Sequence, residues 1–195
     1  MDEVVKQALA KWPNVPHCYG WLALDARGAW RMRDERAQHL GLAGDKITQA
    51  ALRDFINRNY ASDERGCWYF QNGPQRVYVS LEATPYIART DPREGLVLHT
   101  GAPLARLDQA WLTEAGALIV QSGPSVAQLD DRDFLPLLGA LTLDGAAVSD
   151  DALLSWLGGG IGSLNLRLKE QAIRVERLAH ADVETRFDFV REPSS

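Results

Sequence analysis

The chain has 195 residues, which suits one compact domain or two small halves sharing an interface. Hydrophobic residues make up 46% and charged residues 24%, enough apolar material for a real core, so a disordered or low-complexity chain is excluded. The formal net charge is −5 and lysine and arginine are scattered rather than clustered, so there is no electrostatic footprint for nucleic acid or for an anionic bilayer.

The first segment, MDEVVKQALAKW, places Val4, Val5, Ala8, Leu9 and Trp12 on one helical face, and Pro13 and Pro16 end the helix. It opens with two acids and lacks the continuous apolar run of a secretion signal, and no apolar stretch approaches the ~20 residues that cross a bilayer. The expected compartment is the cytoplasm. Residues 19–25 and 29–33 read as two strands joined by a turn at Asp25-Ala26-Arg27-Gly28. A polar loop with His39, Gly41 and Gly44 follows. Residues 47–56 then have helical spacing, with Thr48 as the expected cap.

The stretch CWYFQNGPQRVYVSL, residues 67–81, reads as a β-hairpin. Pro74 has no N–H to give a ladder, which favours a four-residue connection over 72–75 and sets Phe70 opposite Val77. Side chains alternate, so Trp68, Phe70, Val77, Val79 and Leu81 share one face and Cys67, Tyr69, Arg76, Tyr78 and Ser80 the other. A two-residue loop keeps the same parity. The first face is core. On the second, Tyr69 and Tyr78 are expected to be half-exposed, free to meet a second layer, a partner or a ligand.

Further on, residues 85–89 and 96–100 read as strands around Asp91-Pro92, and 117–121 as another. Residues 131–138 read as a short helix capped by Asp130 or Asp131. Residues 164–168, 173–175 and 183–189 alternate as terminal antiparallel strands. The expected class is α+β and β-rich, with antiparallel sheets or partial barrels and a few short helices. The expected division is residues 1–100 and 101–195, or one compact domain. Leu22-Ala23-Leu24-Asp25 followed by ITQAALRDFI is echoed by Leu141-Thr142-Leu143-Asp144 followed by VSDDALLSWL, an internal correspondence that common helix-start grammar, or else a true duplication, would produce.

The series Asp25, Gly28 and Trp30, then Ile47, Leu52 and Phe55, then Asp63-Glu64, Gly66, Trp68-Tyr69, Val77, Val79 and Pro85 resembles an uncharacterised proteobacterial family of unknown function over about residues 20–90. The resemblance implies a β-rich, two-part cytoplasmic protein and carries no catalytic residues.

Chemistry is sparse. The loop GGGIGS, residues 158–163, follows a helix and leads into a strand, the reverse of a phosphate-cradling loop, and reads as a helix terminus. Cys18 and Cys67 lack C-x-x-C spacing and read as reduced and largely buried. His99 ends an apolar strand, a place where sites are often mounted. Asp130-Asp131-Asp133 and Asp150-Asp151 stand at helix starts, where carboxylates cap free N–H groups, and they match no metal-binding pattern. No cofactor and no metal site is expected. Three classes of function remain. The leading one is a non-enzymatic binding or regulatory module that uses Tyr69, Arg76, Tyr78 and His99 toward a small ligand, a peptide or a second copy. The others are a hydrolase whose site gathers distant residues such as His99, Asp25 and Arg89, and a homodimeric subunit.

Overall fold

The structure is a computed structural model that describes residues Met1–Ser195. It is a β-rich α+β protein, 37% strand and 24% helix, with two mixed sheets and no closed barrel. The chain divides into two compact units, Met1–Pro85 with Asp188–Ser195, and Tyr86–Phe187. The division thus falls at Pro85, and the last eight residues return to the first unit.

The first unit runs α1 (Glu3–Lys11), β1 (Cys18–Leu24), β2 (Trp30–Met32), α2 (Glu35–His39), β3 (Asp45–Lys46), α3 (Ala50–Arg58), β4 (Tyr60–Ser62), β5 (Trp68–Asn72) and β6 (Gln75–Leu81). Its six-stranded sheet has the order β3-β2-β1-β6-β5-β4. The central β1–β6 pair is parallel and the rest are antiparallel, so the sheet is mixed where antiparallel sheets or partial barrels were expected. One face is apolar. Leu22 and Leu24 lie opposite Val79 and Leu81, Trp30 lies opposite Leu24, and Phe70 opposite Val77. The α3 helix packs there, with Phe55 edge-on to Phe70 at 5.4 Å. Trp30 is buried against Tyr60 and donates its indole N–H to Asn57 Oδ1 at 2.7 Å, which satisfies the one polar atom it brings inside.

Local chemistry explains two departures from the sequence reading. Residues 35–39 are not loop but a short helix, because Asp34 accepts the N–H of Ala37 at 2.7 Å. The α3 helix begins at Ala50 with Gln49, not Thr48, at its cap and no side-chain cap bond. The N–H of Ile47 is still engaged with Trp30 O at 2.8 Å, which holds the chain extended past β3 and delays the helix. Ser149, by contrast, caps the later helix by accepting from Ala152 N, so the two helix starts that correspond in sequence differ in chemistry.

The second unit runs β7 (Tyr86–Asp91), β8 (Gly95–Leu98), β9 (Gln109–Thr113), β10 (Leu118–Ser122), β11 (Ser125–Leu129), α4 (Asp131–Leu138), β12 (Leu141–Leu143), β13 (Ala146–Ala147), α5 (Asp150–Leu157), β14 (Leu164–Leu168), β15 (Gln171–Leu178), a 3₁₀ turn at His180–Asp182 and α6 (Val183–Phe187). Its nine-stranded sheet has the order β13-β12-β14-β15-β9-β10-β11-β7-β8, with β11–β7 and β15–β9 parallel. Its core gathers Leu112, Leu118, Val120, Leu141, Trp156 and Leu166. Residues 183–187, expected as a strand, are helical. Val183 and Phe187 are one turn apart as well as alternating, and Phe187 packs edge-on against Trp111 at 4.9 Å. Gly158 ends α5 as expected, its N–H bonded to Leu154 O.

Candidate functional site

The outer face of the first sheet, opposite α3, is where the aromatic hairpin assembles its polar chemistry. Strands β5 and β6 join through a two-residue turn at Gly73-Pro74, with Gly73 at φ +58°, rather than the four-residue loop expected. A positive φ at the first central residue is what a type II′ hairpin turn requires, and glycine adopts it without strain. The parity holds as expected: Phe70 pairs with Val77 and Tyr69 with Tyr78. The two tyrosines are not half-exposed, however. Tyr69 is 6% and Tyr78 2% exposed, because the opposite face acquires its own cover.

That cover comes from four directions. In β1 the register with β6 shifts between Cys18 and Leu22, and the bulge lays Tyr19 flat on Tyr78, ring centroids 4.6 Å apart and planes 2° from parallel. His17 meets the same ring edge-on at 5.6 Å. The guanidinium of Arg76 lies 4.5 Å over the Tyr69 ring and that of Arg65 lies 5.5 Å from the Tyr78 ring centre. Finally, Val190 from the C-terminal segment packs against the Cys67, Tyr69 and Tyr78 cluster, and its N–H donates to Gly66 O. Gly66 sits at φ +75°, and a Cβ there would lie 2.4 Å from Asp188 O, so only glycine lets this segment approach.

Asp63 organises the cluster. Its carboxylate accepts the Tyr78 hydroxyl at 2.9 Å, the N–H groups of Arg65 and Cys67 at 3.0 Å each, and Arg65 Nε at 3.2 Å. Burial alone would push its pKa up, but the hydrogen bonds from Tyr78, Cys67 and Arg65 outweigh burial and hold it below the usual carboxylate range. Burial first, and the Asp63 charge next, push the Cys67 thiol up, so it is a protonated structural thiol rather than a nucleophile. Tyr78 is raised chiefly by burial. Arg65 is held charged by Tyr19, Tyr78 and Asp63 in that order. The result is two guanidinium groups mounted on tyrosine faces, one of them paired with the Asp63 carboxylate, an arrangement suited to holding an anionic group by charge and hydrogen bonds.

Of the four residues singled out from sequence, Tyr69, Arg76 and Tyr78 thus come together, while His99 belongs to the second unit. There its Nδ1 accepts the N–H of Ile87 at 3.2 Å beside the Tyr86 ring, which makes it a strand-end histidine tied into the fold. Asp25, in the first unit, accepts from Arg27 N, Ala29 N and Arg31 Nε and so stabilises its turn. In the second unit, Arg89 pairs with the buried Asp130 at 3.4 Å. The three residues proposed for a scattered hydrolase site each have a structural task. The aspartates of 130–133 do likewise: Asp130 caps α4 and Asp133 accepts from Thr90 N at 2.7 Å.

The sequence reading missed Asp63, Arg65, Tyr19 and His17 as members of the cluster. The signal for Asp63 was present, since Asp63-Glu64-Arg65-Gly66 is a turn in which an aspartate reaches backbone N–H groups two and four residues on. Tyr19 gave none, because it arrives through a parallel pairing with a strand almost sixty residues away.

A search of curated proteins finds no match to this chain. Among solved structures, the chain is similar to a DUF1285 family protein from Silicibacter pomeroyi DSS-3, at 14% identity and a TM-score of 0.49, over 89% of this chain and 94% of that one. A family model extends the likeness read from residues 20–90 to residues 1–194, and the chain belongs to the family described as a protein of unknown function (DUF2946).

Proposed function

We propose that this protein is a cytoplasmic, non-enzymatic binding module, and that the Tyr-Arg face of its first unit takes a small ligand carrying a phosphate or carboxylate group. The single observation that carries the reading is the placement of Arg65 and Arg76 on the rings of Tyr78 and Tyr69, with Asp63 paired to Arg65. Ring and hydroxyl contacts pre-organise both guanidiniums, so less side-chain entropy is lost when an anion arrives. The patch is cationic on a chain whose net charge is −5, which gives an anion a local attraction against a repelling background. Tyr69 and Tyr78 serve as the platform beneath the arginines. No helix is long and apolar enough to cross a membrane, which accords with the proposed compartment.

The test is thermal unfolding with inorganic phosphate, pyrophosphate and citrate added in turn. A ligand that binds only the folded state stabilises it by about 3 kcal/mol at a hundred times its Kd. At least one of the three anions should raise the Tm of the parent in a saturable way, and Arg65→Gln and Arg76→Gln should each remove most of that rise. A rise of equal size in both variants, or none in the parent, overturns the reading.

A further inference from the structure

On the same outer face, further along β6, lies a cavity of about 280 Å³ that is independent of the Tyr-Arg cluster. Two arginines from β2 and its end border it and differ in what they have left to offer. Arg31 is committed: its Nε donates to Asp25 Oδ2 at 2.7 Å and its Nη1 to Gly44 O at 3.1 Å. Arg33 is not. Its Nη1 reaches Ser80 Oγ at 3.3 Å, a long contact, and its Nε is buried without any hydrogen-bond partner. A donor on a charged group left unsatisfied costs more than its neutral counterpart, so Arg33 is the less committed of the two arginines that line the cavity.

The opposite character stands at the rim. Glu82 uses one carboxylate oxygen, Oε2, to accept the N–H of Ala26 at 3.0 Å, and Glu192 of the returning C-terminal segment makes no ion pair. Between these poles the wall is apolar, built from Ala23 and from Leu42 and Ala43 of the loop after α2, with Leu42 49% exposed. The space is somewhat smaller than the roughly 300–1,000 Å³ that drug-sized ligands occupy.

We infer that this cavity binds a free α-amino acid with a small or medium apolar side chain. Its carboxylate accepts from the Arg33 guanidinium and the Ser80 hydroxyl, its ammonium group faces Glu82 and Glu192, and its side chain lies on Ala23, Leu42 and Ala43. A lone anion would meet two carboxylates at the rim, and a lone cation would meet Arg33. A zwitterion satisfies both.

The experiment is titration calorimetry of the full chain with glycine, L-alanine and L-leucine, with acetate and methylammonium as half-ligands. At least one of the amino acids should give saturable binding, and acetate and methylammonium should bind at least tenfold more weakly. Arg33→Met should abolish amino-acid binding. Glu192→Gln, a change at an exposed position that leaves folding intact, should weaken it about tenfold. Circular dichroism checks that Arg33→Met is folded, and if it is not, the Glu192→Gln result decides. No saturable binding of any of the three amino acids, acetate binding as tightly as they do, or affinity indifferent to Glu192→Gln overturns the inference.

Discussion

Asp63 in the first unit and Asp130 in the second begin the same local sentence, Asp-x-Arg, and end it differently. In Asp63-Glu64-Arg65 the carboxylate accepts the arginine's own N–H at 3.0 Å and its Nε at 3.2 Å. In Asp130-Asp131-Arg132 the same two bonds are 3.1 and 2.9 Å. Asp130 goes on to cap α4 and to meet a second arginine, Arg89, with its side chain almost wholly buried. Asp63 goes on to take the hydroxyl of Tyr78, and its arginine leans outward over an aromatic ring. An aspartate and arginine two residues apart therefore say nothing about binding by themselves. A cap plus a second cation turns the pair into a structural rivet, while a tyrosine platform sets the cation over an aromatic face.

Three measurements sharpen that contrast, the largest effect first. Asp130→Ala removes a helix cap and a charged acceptor shared by Arg89 and Arg132, both of which still reach solvent, so chemical denaturation should show a loss of about 3 kcal/mol. Asp63→Ala removes four hydrogen bonds from a partly exposed turn and should cost only about 2 kcal/mol. Equal losses at the two positions would erase the distinction drawn between them.

The acid limb of stability comes next. The pKa of Asp130 is held to about 2, because the Arg132 hydrogen bonds overcome the opposing effect of burial, and Asp63 is lowered in the same direction. A carboxylate whose folded pKa lies below its unfolded value stabilises the fold fully above about pH 4 and loses that contribution as pH falls toward 2. For Asp130 the contribution is on the order of 2 kcal/mol. Asp130→Asn should therefore be least stable relative to the parent at neutral pH and converge with it near pH 2, as read from urea midpoints across that range. A gap that stays constant with pH would show that the ion pairs contribute nothing.

Smallest is Tyr78→Phe, which deletes the hydroxyl between Asp63 and the arginines but keeps the ring stack with Tyr19. About 1 kcal/mol of stability should be lost. A loss as large as that of Asp63→Ala would mean that the hydroxyl, not the turn, is what Asp63 serves.

How much of this was visible in the residues depended on the range of each interaction. The face assignment of residues 67–81 followed from alternation alone and survived an error in turn length, because two- and four-residue loops share a parity. Strand β9 carries a weak signal because its apolar run, Ala110-Trp111-Leu112, is only three residues long and does not alternate. The Val183–Phe187 segment was misread because V-E-T-R-F satisfies both periods, and only packing on Trp111 decides between them. Asp63, Arg65, Tyr19 and His17 lie outside the hairpin, whereas Tyr69, Arg76 and Tyr78 were local to it and hence legible. The burial of Tyr69 and Tyr78 was not, since it depends on Tyr19 from β1 and Val190 from the chain's far end.

The return of residues 188–195 bears on how the protein comes into being. Leu81 N donates to Arg191 O, Val190 N to Gly66 O, and Arg191 Nε to Ala83 O, so the first unit draws bonds from residues synthesised a hundred positions after its own last strand. The intervening segment, Tyr86–Phe187, is continuous in sequence and draws its core from its own residues. Vectorial emergence from the ribosome thus reverses the order in which the two parts reach completion: the half made first must wait, incompletely covered, while the half made second can close on itself.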